Sequence, residues 1–406
     1  MLPRGSTSHQ AARAGRTAGA RVLALRIAPF PPASRVTQTP PRVAFVLPGL
    51  GRVRRGAEAA LTRIARGLRD RHGFEVELFG SGDEFPDGLT GHRVRCVGRA
   101  AFERFPSLPA LRTECQYEEA TFALGLTACR AFDARRFDAA VTCSYPYVNW
   151  LLQRDRWRGV RHLFVTQNGD WPCRRENAEY RYFHADAVAA ISPSHRETAA
   201  ANFPTRLIPN GVDAERFVPR TRRGATAPHL LMVGALADSK RPLLAVEAAA
   251  AIPDAWLTVV GDGPLRDALR DALANRMPDR STWTPSAPPR EVARYFRAAD
   301  AFLHCSRDEP FGLVFLESMA SGCPIVAFDG PTQRWVVGPA GILVDSDEPA
   351  DFAAAAALAT AAASAPRLSE AGRRRVTEWS WDRQVDRYAE LLGTMIGPKR
   401  LAAEAV

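Results

Sequence analysis

The chain has 406 residues, 46% of them hydrophobic and 24% charged, which is enough to bury a large core and too much for one ordinary domain, so two are expected. The formal charge of +10 is concentrated in residues 1–42, which hold seven arginines (Arg4, Arg13, Arg16, Arg21, Arg26, Arg35 and Arg42) and no acidic residue, leaving +3 for the rest and arguing against a nucleic-acid partner. No run of about 18 apolar residues exists to span a membrane, and seven scattered cysteines without a C-x-x-C pair suit buried thiols in a reducing cytosol better than a disulfide framework or a zinc site.

Residues 1–41, rich in Arg, Ala, Ser, Thr and Pro, are expected to be a disordered basic tail; an organelle-targeting role is the alternative reading of the same composition. From Arg42 short apolar runs alternate with amphipathic stretches, the pattern of a parallel sheet covered by helices. VAFVLP is a buried strand, and AEAALTRIARGLRDRH places Leu61, Ile64, Ala65 and Leu68 on one helical stripe. FEVELFG, HRVRCVG, AAVTCSYP, HLFVTQNG and DAVAAIS continue the strands, with ATFALGLTACRAF and VNWLLQRDRW as helices between them. Periodicity lapses at RLIPNGVDAERFVPRTRRGATAPH, which reads as a linker.

A second alternating set follows: HLLMVGAL, RPLLAVEAAAAI, WLTVVGDG, LRDALRDAL, STWTPSA, EVARYFRAAD, AFLHCS, CPIVAFDG and GILVD. DFAAAAALATAAASA is a helix of low hydrophobicity, and WSWDRQVDRYAELLGTMI is a closing helix with Val385, Tyr388, Leu391 and Leu392 on one side. The expected fold class is therefore α/β, two Rossmann-like domains facing across a cleft: residues 42–215, residues 216–380, and a closing helix and tail over 381–406. Ligands of such sheets bind outside the carboxyl ends of the strands.

Glu309 and Glu317 flank Pro-Phe-Gly-Leu-Val-Phe-Leu. Pro310 and Gly312 precede a helix-competent run, so a helix starts near Gly312, with Glu309 in the loop before it and Glu317 one to two turns inside. Exposed amides at such a start attract phosphate, and a carboxylate beside them is suited to accept hydrogen bonds from sugar or ribose hydroxyls. A capped helix face with a solvated Glu309 is the plain alternative. Lys240 follows the strand HLLMVGAL and is one of only two lysines among 54 basic residues, which points to a need for a compact point charge. Gly49, Gly51 and Gly56 border a strand-to-helix loop that can approach a phosphate or an acceptor closely, without G-x-G-x-x-G spacing.

The run from Glu309 to Glu317 followed by Ser-Met-Ala-Ser-Gly-Cys-Pro-Ile-Val resembles the E-x7-E signature of retaining glycosyltransferases of family 4, which have the GT-B fold. LPGLGRVRRGAEAAL, IPNGVDAERFVP, VGALADSKRPLLAVEA, VVGDGP and the final Trp-Ser-Trp-Asp helix fall in the order of that family, over about residues 42–395. The resemblance implies transfer of a sugar from a nucleotide-diphosphate sugar to an acceptor hydroxyl with retention. No metal or other cofactor is expected, and the setting is polysaccharide, glycolipid or natural-product synthesis in the cytoplasm, with peripheral membrane contact an open option. It implies Glu309, Lys240 and Asn168 as catalytic positions, Glu309 holding donor-sugar hydroxyls, Glu317 holding the ribose, and amides around Gly312, Leu313 and Val314 facing the diphosphate. Further donor contacts are expected at Gly51, Asn210, Gly234, Gly261, Asp262, Gly263 and Phe311, and acceptor contacts at Arg55, Gly56, Glu58, Asp170 and Trp171, within Arg52–Glu58, Gln116–Glu119, Tyr145–Asn149 and Trp171–Tyr182.

Three departures bear on activity. Ala235 stands where the family usually has an arginine, leaving open whether Arg241 substitutes or the amides and Lys240 suffice. Arg55-Gly56-Ala57-Glu58 keeps only the second glycine and the glutamate of Gly-Gly-x-Glu. Asn168 occupies the place of a histidine and cannot shuttle a proton near neutral pH, with Asp170 close enough to compensate. A nucleotide-sugar epimerase or phosphorylase of the same fold and an inactive sugar-binding homologue stay as alternatives. Asp345-Ser346-Asp347 reads as a solvated turn rather than a metal site, and His304 and Cys305, adjacent on a strand, point to opposite faces and do not form a Cys–His pair.

Overall fold

The computed structural model describes residues 39–53, 55–98, 113–144, 146–155, 159–220 and 227–397. The expectations for the basic tail up to residue 38, for Tyr145 and for the end of VNWLLQRDRW lie outside these residues, as does 221–226 of the linker.

The first sheet is wholly parallel, in the order β3-β2-β1-β4-β5-β6-β7. Its strands are β1 (Arg42–Val46), β2 (Glu75–Gly80), β3 (Thr90–Arg93), β4 (Ala139–Thr142), β5 (Arg161–Val165), β6 (Ala187–Ala190) and β7 (Thr205–Leu207). The helices between them are α1 (Gly56–His72), α2 (Glu114–Ala128), α3 (Tyr147–Gln153) and α4 (Pro193–Ala200). The stripe Leu61, Ile64, Ala65 and Leu68 is fully buried, as the 3.6-residue period requires. α1 ends at Gly73, in the left-handed region at φ 68°, whose N–H closes on the carbonyls of Leu68 and Arg69. HRVRCVG contributes only its first residues to the sheet: β3 ends at Arg93, and Val94 to Gly98 leave it. β7, at the edge, and α4 are too short for a period to stand out in the sequence.

The second sheet is also parallel, in the order β10-β9-β8-β11-β12-β13. It comprises β8 (His229–Val233), β9 (Trp256–Val260), β10 (Ser281–Thr284), β11 (Ala301–His304), β12 (Ile325–Phe328) and β13 (Gly341–Val344). Its helices are α5 (Pro242–Ala250), α6 (Arg266–Arg276), α7 (Pro289–Ala298), α8 (Leu313–Ala320), α9 (Pro331–Val337), α10 (Pro349–Thr360) and α11 (Ala365–Val376). Both sheets reverse strand order beside their first strand, between β1 and β4 and between β8 and β11, and the carboxyl ends of those strands are where an open α/β sheet binds ligands.

The final helix, α12 (Trp381–Ile396), returns to the first lobe and packs on α1. A Cβ added to Gly67 would lie 2.5 Å from a methyl of Val385, so the two helices meet at a glycine. Val385, Tyr388, Leu391 and Leu392 are all buried. Arg71 reaches Asp382 at 3.0 Å and Asp386 at 3.1 Å, and His72 reaches Asp386 at 2.8 Å. The chain crosses between lobes twice, and the crossings touch: Val212 N–H donates to the Trp379 carbonyl at 2.8 Å. None of the seven cysteines forms a disulfide; Cys143, Cys173, Cys305 and Cys323 are buried, Cys96 and Cys129 half-buried, and Cys115 exposed, so burial holds for four of them. No helix among the described residues is long and apolar enough to cross a membrane.

Candidate active site

The loops at the carboxyl ends of β8 and β11 bring Lys240 to Glu309. Lys240 closes a short 3₁₀ turn after β8 (Asp238–Lys240), and its Nζ donates to Glu309 Oε2 at 2.5 Å. His304, the last residue of β11, places its Nε2 3.2 Å from the same oxygen. Burial pushes the Glu309 carboxyl up, but the adjoining His304 and Lys240 outweigh it and bring it down to about 2. The pair is therefore a nearly covered, ionised carboxylate held by a partly exposed lysine.

α8 begins directly beside it. Gly312 sits at φ 77°, and a Cβ there would lie 2.4 Å from the Phe315 ring and 3.1 Å from Glu309 Cγ, so only glycine lets Glu309 and the helix start approach this closely. No side chain caps α8, which leaves the Leu313 and Val314 amides directed outward with the positive end of the helix dipole. The loop is anchored from behind: Gln333 Nε2 donates to the carbonyls of Ser306 at 2.9 Å and Arg307 at 3.2 Å, and the buried Phe311 ring packs on Trp335 and Trp379. The Phe311 ring thus supports the loop from beneath.

Glu317 lies one turn into α8, partly covered, and its carboxylate makes no hydrogen bond among the described residues. Burial raises it to about 7, with the Arg216 charge pulling the other way. It is suited to accept hydrogen bonds from a ligand's hydroxyls. On the facing strand ends, a Cβ on Gly261 would lie 1.8 Å from the Gly234 carbonyl oxygen and one on Gly263 2.5 Å from that of Leu236, so glycine allows these two loops to pack backbone on backbone. Asp262 is occupied by Arg266 and by the Gly263 N–H.

The first lobe meets this wall through α1. A Cβ on Gly56 would lie 3.7 Å from Leu313 Cδ1, which sets the uncapped start of α1 against the uncapped start of α8. Arg55 is exposed there, whereas Glu58 is buried with its carboxylate beside Gly49, in the loop that follows β1. Gly51, at φ 74°, packs on Phe85 and Gly82. Asn168 is exposed at the end of β5 and donates to the Cys143 carbonyl at 3.4 Å. Asp170 is buried and bound by Arg174 at 3.2 Å, and the Trp171 ring is partly exposed beside it. Asn210 and Gln167 exchange two amide hydrogen bonds, at 2.5 and 3.1 Å, so Asn210 ties the crossing to the Asn168 loop. In the wider acceptor stretches, Arg52 pairs with Glu118, Gln116 closes the capping box of α2, and Glu119 accepts from the Val148 amide at 3.3 Å.

Two readings change. Arg241, one of the substitutes considered for an arginine at position 235, is engaged in the loop: its guanidinium donates to Asp347 at 2.7 Å and to the Cys305 carbonyl at 3.3 Å. Asp347 in turn holds both Arg241 and Arg307, so the Asp345-Ser346-Asp347 turn is an ion-pair clamp under the loop rather than merely solvated. Sequence reasoning also sets His304 aside. It forms no pair with Cys305, as strand alternation requires, but on the opposite face it reaches Glu309. A lone histidine ending an apolar strand five residues before a glutamate is the signal that marks it.

A "Glycosyltransferase Family 4" profile matches residues 54–216, and a "Glycosyl transferases group 1" profile matches residues 213–375. The chain belongs to glycosyltransferase family 4. Among curated proteins of this family, D-inositol 3-phosphate glycosyltransferase of Thermomonospora curvata is 28% identical over 393 residues, covering 83% of this chain and 90% of that protein. The same enzyme of Geodermatophilus obscurus is 33% identical over 216 residues, a match spanning 45% of either chain. Solved GT-B structures share the fold. Sucrose-phosphate synthase from Thermosynechococcus elongatus has a TM-score of 0.70 at 20% identity, covering 86% of this chain and 98% of that one. Anabaena HepE in complex with UDP and glucose has 0.63 at 16%, covering 87% and 99%.

Proposed function

We propose that this family 4 protein transfers a sugar from a nucleotide-diphosphate sugar, a UDP-sugar first, to an acceptor hydroxyl with retention of configuration. The observation that carries the reading is the convergence of Lys240, Glu309 and the uncapped start of α8 at the reversal point of the second sheet, with an unpartnered Glu317 on the same helix. The diphosphate would lie against the Leu313 and Val314 amides, and Lys240 would turn from Glu309 to the phosphate charge that grows as the glycosidic bond breaks. Glu309 would hold sugar hydroxyls and Glu317 the ribose. Among the described residues the nearby carboxylates have other duties: Glu309 is held by Lys240 and His304 and is given to the sugar hydroxyls, Glu317 is given to the ribose, and Asp170 is bound by Arg174. A same-face reaction fits this arrangement, the departing phosphate oxygen taking the acceptor proton while the lobes exclude water.

UDP bound to HepE and the names of the inositol-phosphate relatives support UDP as the first nucleotide to test and a phosphorylated polyol as the first acceptor, ahead of a polysaccharide or glycolipid intermediate. The test incubates the protein with UDP-, GDP-, ADP- and dTDP-sugars, with and without D-inositol 3-phosphate or a lipid-linked acceptor. Nucleotide release is measured, and the product's anomeric configuration is read by proton NMR. Acceptor-dependent release with the donor's configuration kept is expected. Absence of binding and turnover with every donor overturns the proposal, and an inverted product overturns retention.

A further inference from the structure

We propose that His304 is a positioning residue for donor turnover: it takes over the Glu309 carboxylate when Lys240 moves to the diphosphate, keeping that carboxylate in place to bind the sugar. The inference rests on the donor reading above and deepens it.

Lys240 and His304 converge on one oxygen of Glu309, at 2.5 and 3.2 Å, and Oε1 carries no hydrogen bond among the described residues. Of the two, the lysine is the closer partner. Once it turns to a diphosphate, a carboxylate that is nine-tenths covered loses its cation, and a buried carboxylate left unpaired rotates, takes up a proton or destabilises the loop. Among the described residues, His304 Nε2 is the remaining group within reach. Its ring cannot drift, because it lies edge-on to Phe315 at 4.7 Å between centroids and 5.8 Å from Phe302, and it is 6% exposed.

The other ring nitrogen supports the assignment. Nδ1 is buried with no hydrogen-bond partner among the described residues. A proton there would be stranded among phenylalanine rings, whereas a bare lone pair costs less, so the ring keeps its proton on Nε2, facing Glu309. Strand alternation puts Phe302 and His304 toward α8, while Leu303 and Cys305 face the core on the other side of the sheet. A purely apolar side chain would satisfy that packing, so packing alone does not account for an imidazole.

The test compares wild type with His304→Leu, which keeps the volume and loses the donor, and His304→Gln, whose amide reaches the former Nε2 position. With UDP-glucose as donor probe, His304→Leu is expected to lower kcat/KM about ten- to hundredfold, the effect of losing a hydrogen bond to a charged group, while the Kd for UDP stays within about twofold. His304→Gln is expected to recover most of the loss. A His304→Leu enzyme with wild-type kcat/KM overturns the inference, as does an equal loss in turnover and UDP affinity without rescue by glutamine. Should His304→Leu not fold, the tautomer is read by NMR in 15N-histidine-labelled wild-type protein with and without UDP. Protonated Nε2 in both states is expected, and a proton on Nδ1 alone overturns the inference. A wild type inert toward every nucleotide sugar overturns the donor reading instead, and the tautomer measurement still decides the geometry.

Discussion

Glu309 and Glu317 are eight positions apart, and their surroundings set them to opposite states. The first is surrounded by cationic and hydrogen-bonding groups and stays ionised through the neutral range; the second is partly covered, without a partner, and is raised to about 7. An acid whose folded value lies above its ordinary value of about 4.3 binds more protons in the folded state, so the contribution of Glu317 to stability is full below about 4.3 and falls as pH rises to about 7. Ribose hydroxyls favour its ionised form, so UDP affinity is expected to rise about tenfold between pH 6 and pH 8 in calorimetric titrations, and Glu317→Gln to flatten that rise. Glu309→Ala is expected to lower turnover of UDP-glucose about ten- to hundredfold while changing UDP affinity less, as a steady-state assay paired with calorimetry would show. Equal behaviour of the two variants would remove the division of labour. The glutamates and Lys240 were legible because each stands out from its neighbours in the sequence. His304 was not, because its role depends on which face of β11 meets α8.

At the scale of elements, the site is made of strand ends and helix starts with little side-chain capping. Gly312 combines a left-handed backbone with a missing Cβ, so Gly312→Ala is expected to lower stability by about 2 kcal/mol or more in chemical denaturation and to weaken UDP binding, since both strain and contact act on the same turn. Gly56→Ala is the contrasting case: its Cβ would make only ordinary contact with Leu313, and stability should stay within about 0.5 kcal/mol. Helix and strand periods predicted the long elements, α1 and α12 above all, because their apolar faces are wide. They did not separate β3 from the residues that follow it, since Val94 is buried like a strand residue yet lies beyond the sheet.

For the whole molecule, α12 couples the end of the chain to the first lobe. Removing residues from Trp381 onward would delete Val385, Tyr388, Leu391 and Leu392, each worth about 1.5–3 kcal/mol in burial, and uncover the α1 face they cover. The truncated protein is expected to be insoluble or to melt well below the full chain in calorimetry, and an unchanged melting temperature would show that α12 is dispensable. The sequence by itself determined the two-sheet α/β class, the order of the lobes and the glutamate pair, because period, spacing and glycine placement are local properties of the chain. Only the tertiary structure decided that Arg241 serves Asp347, that Phe311 and Asn210 brace loops, and that His304 shares Glu309 with Lys240. Each of these depends on residues 5 to 106 positions apart meeting at strand ends, and no local pattern encodes which partner a polar side chain finds there.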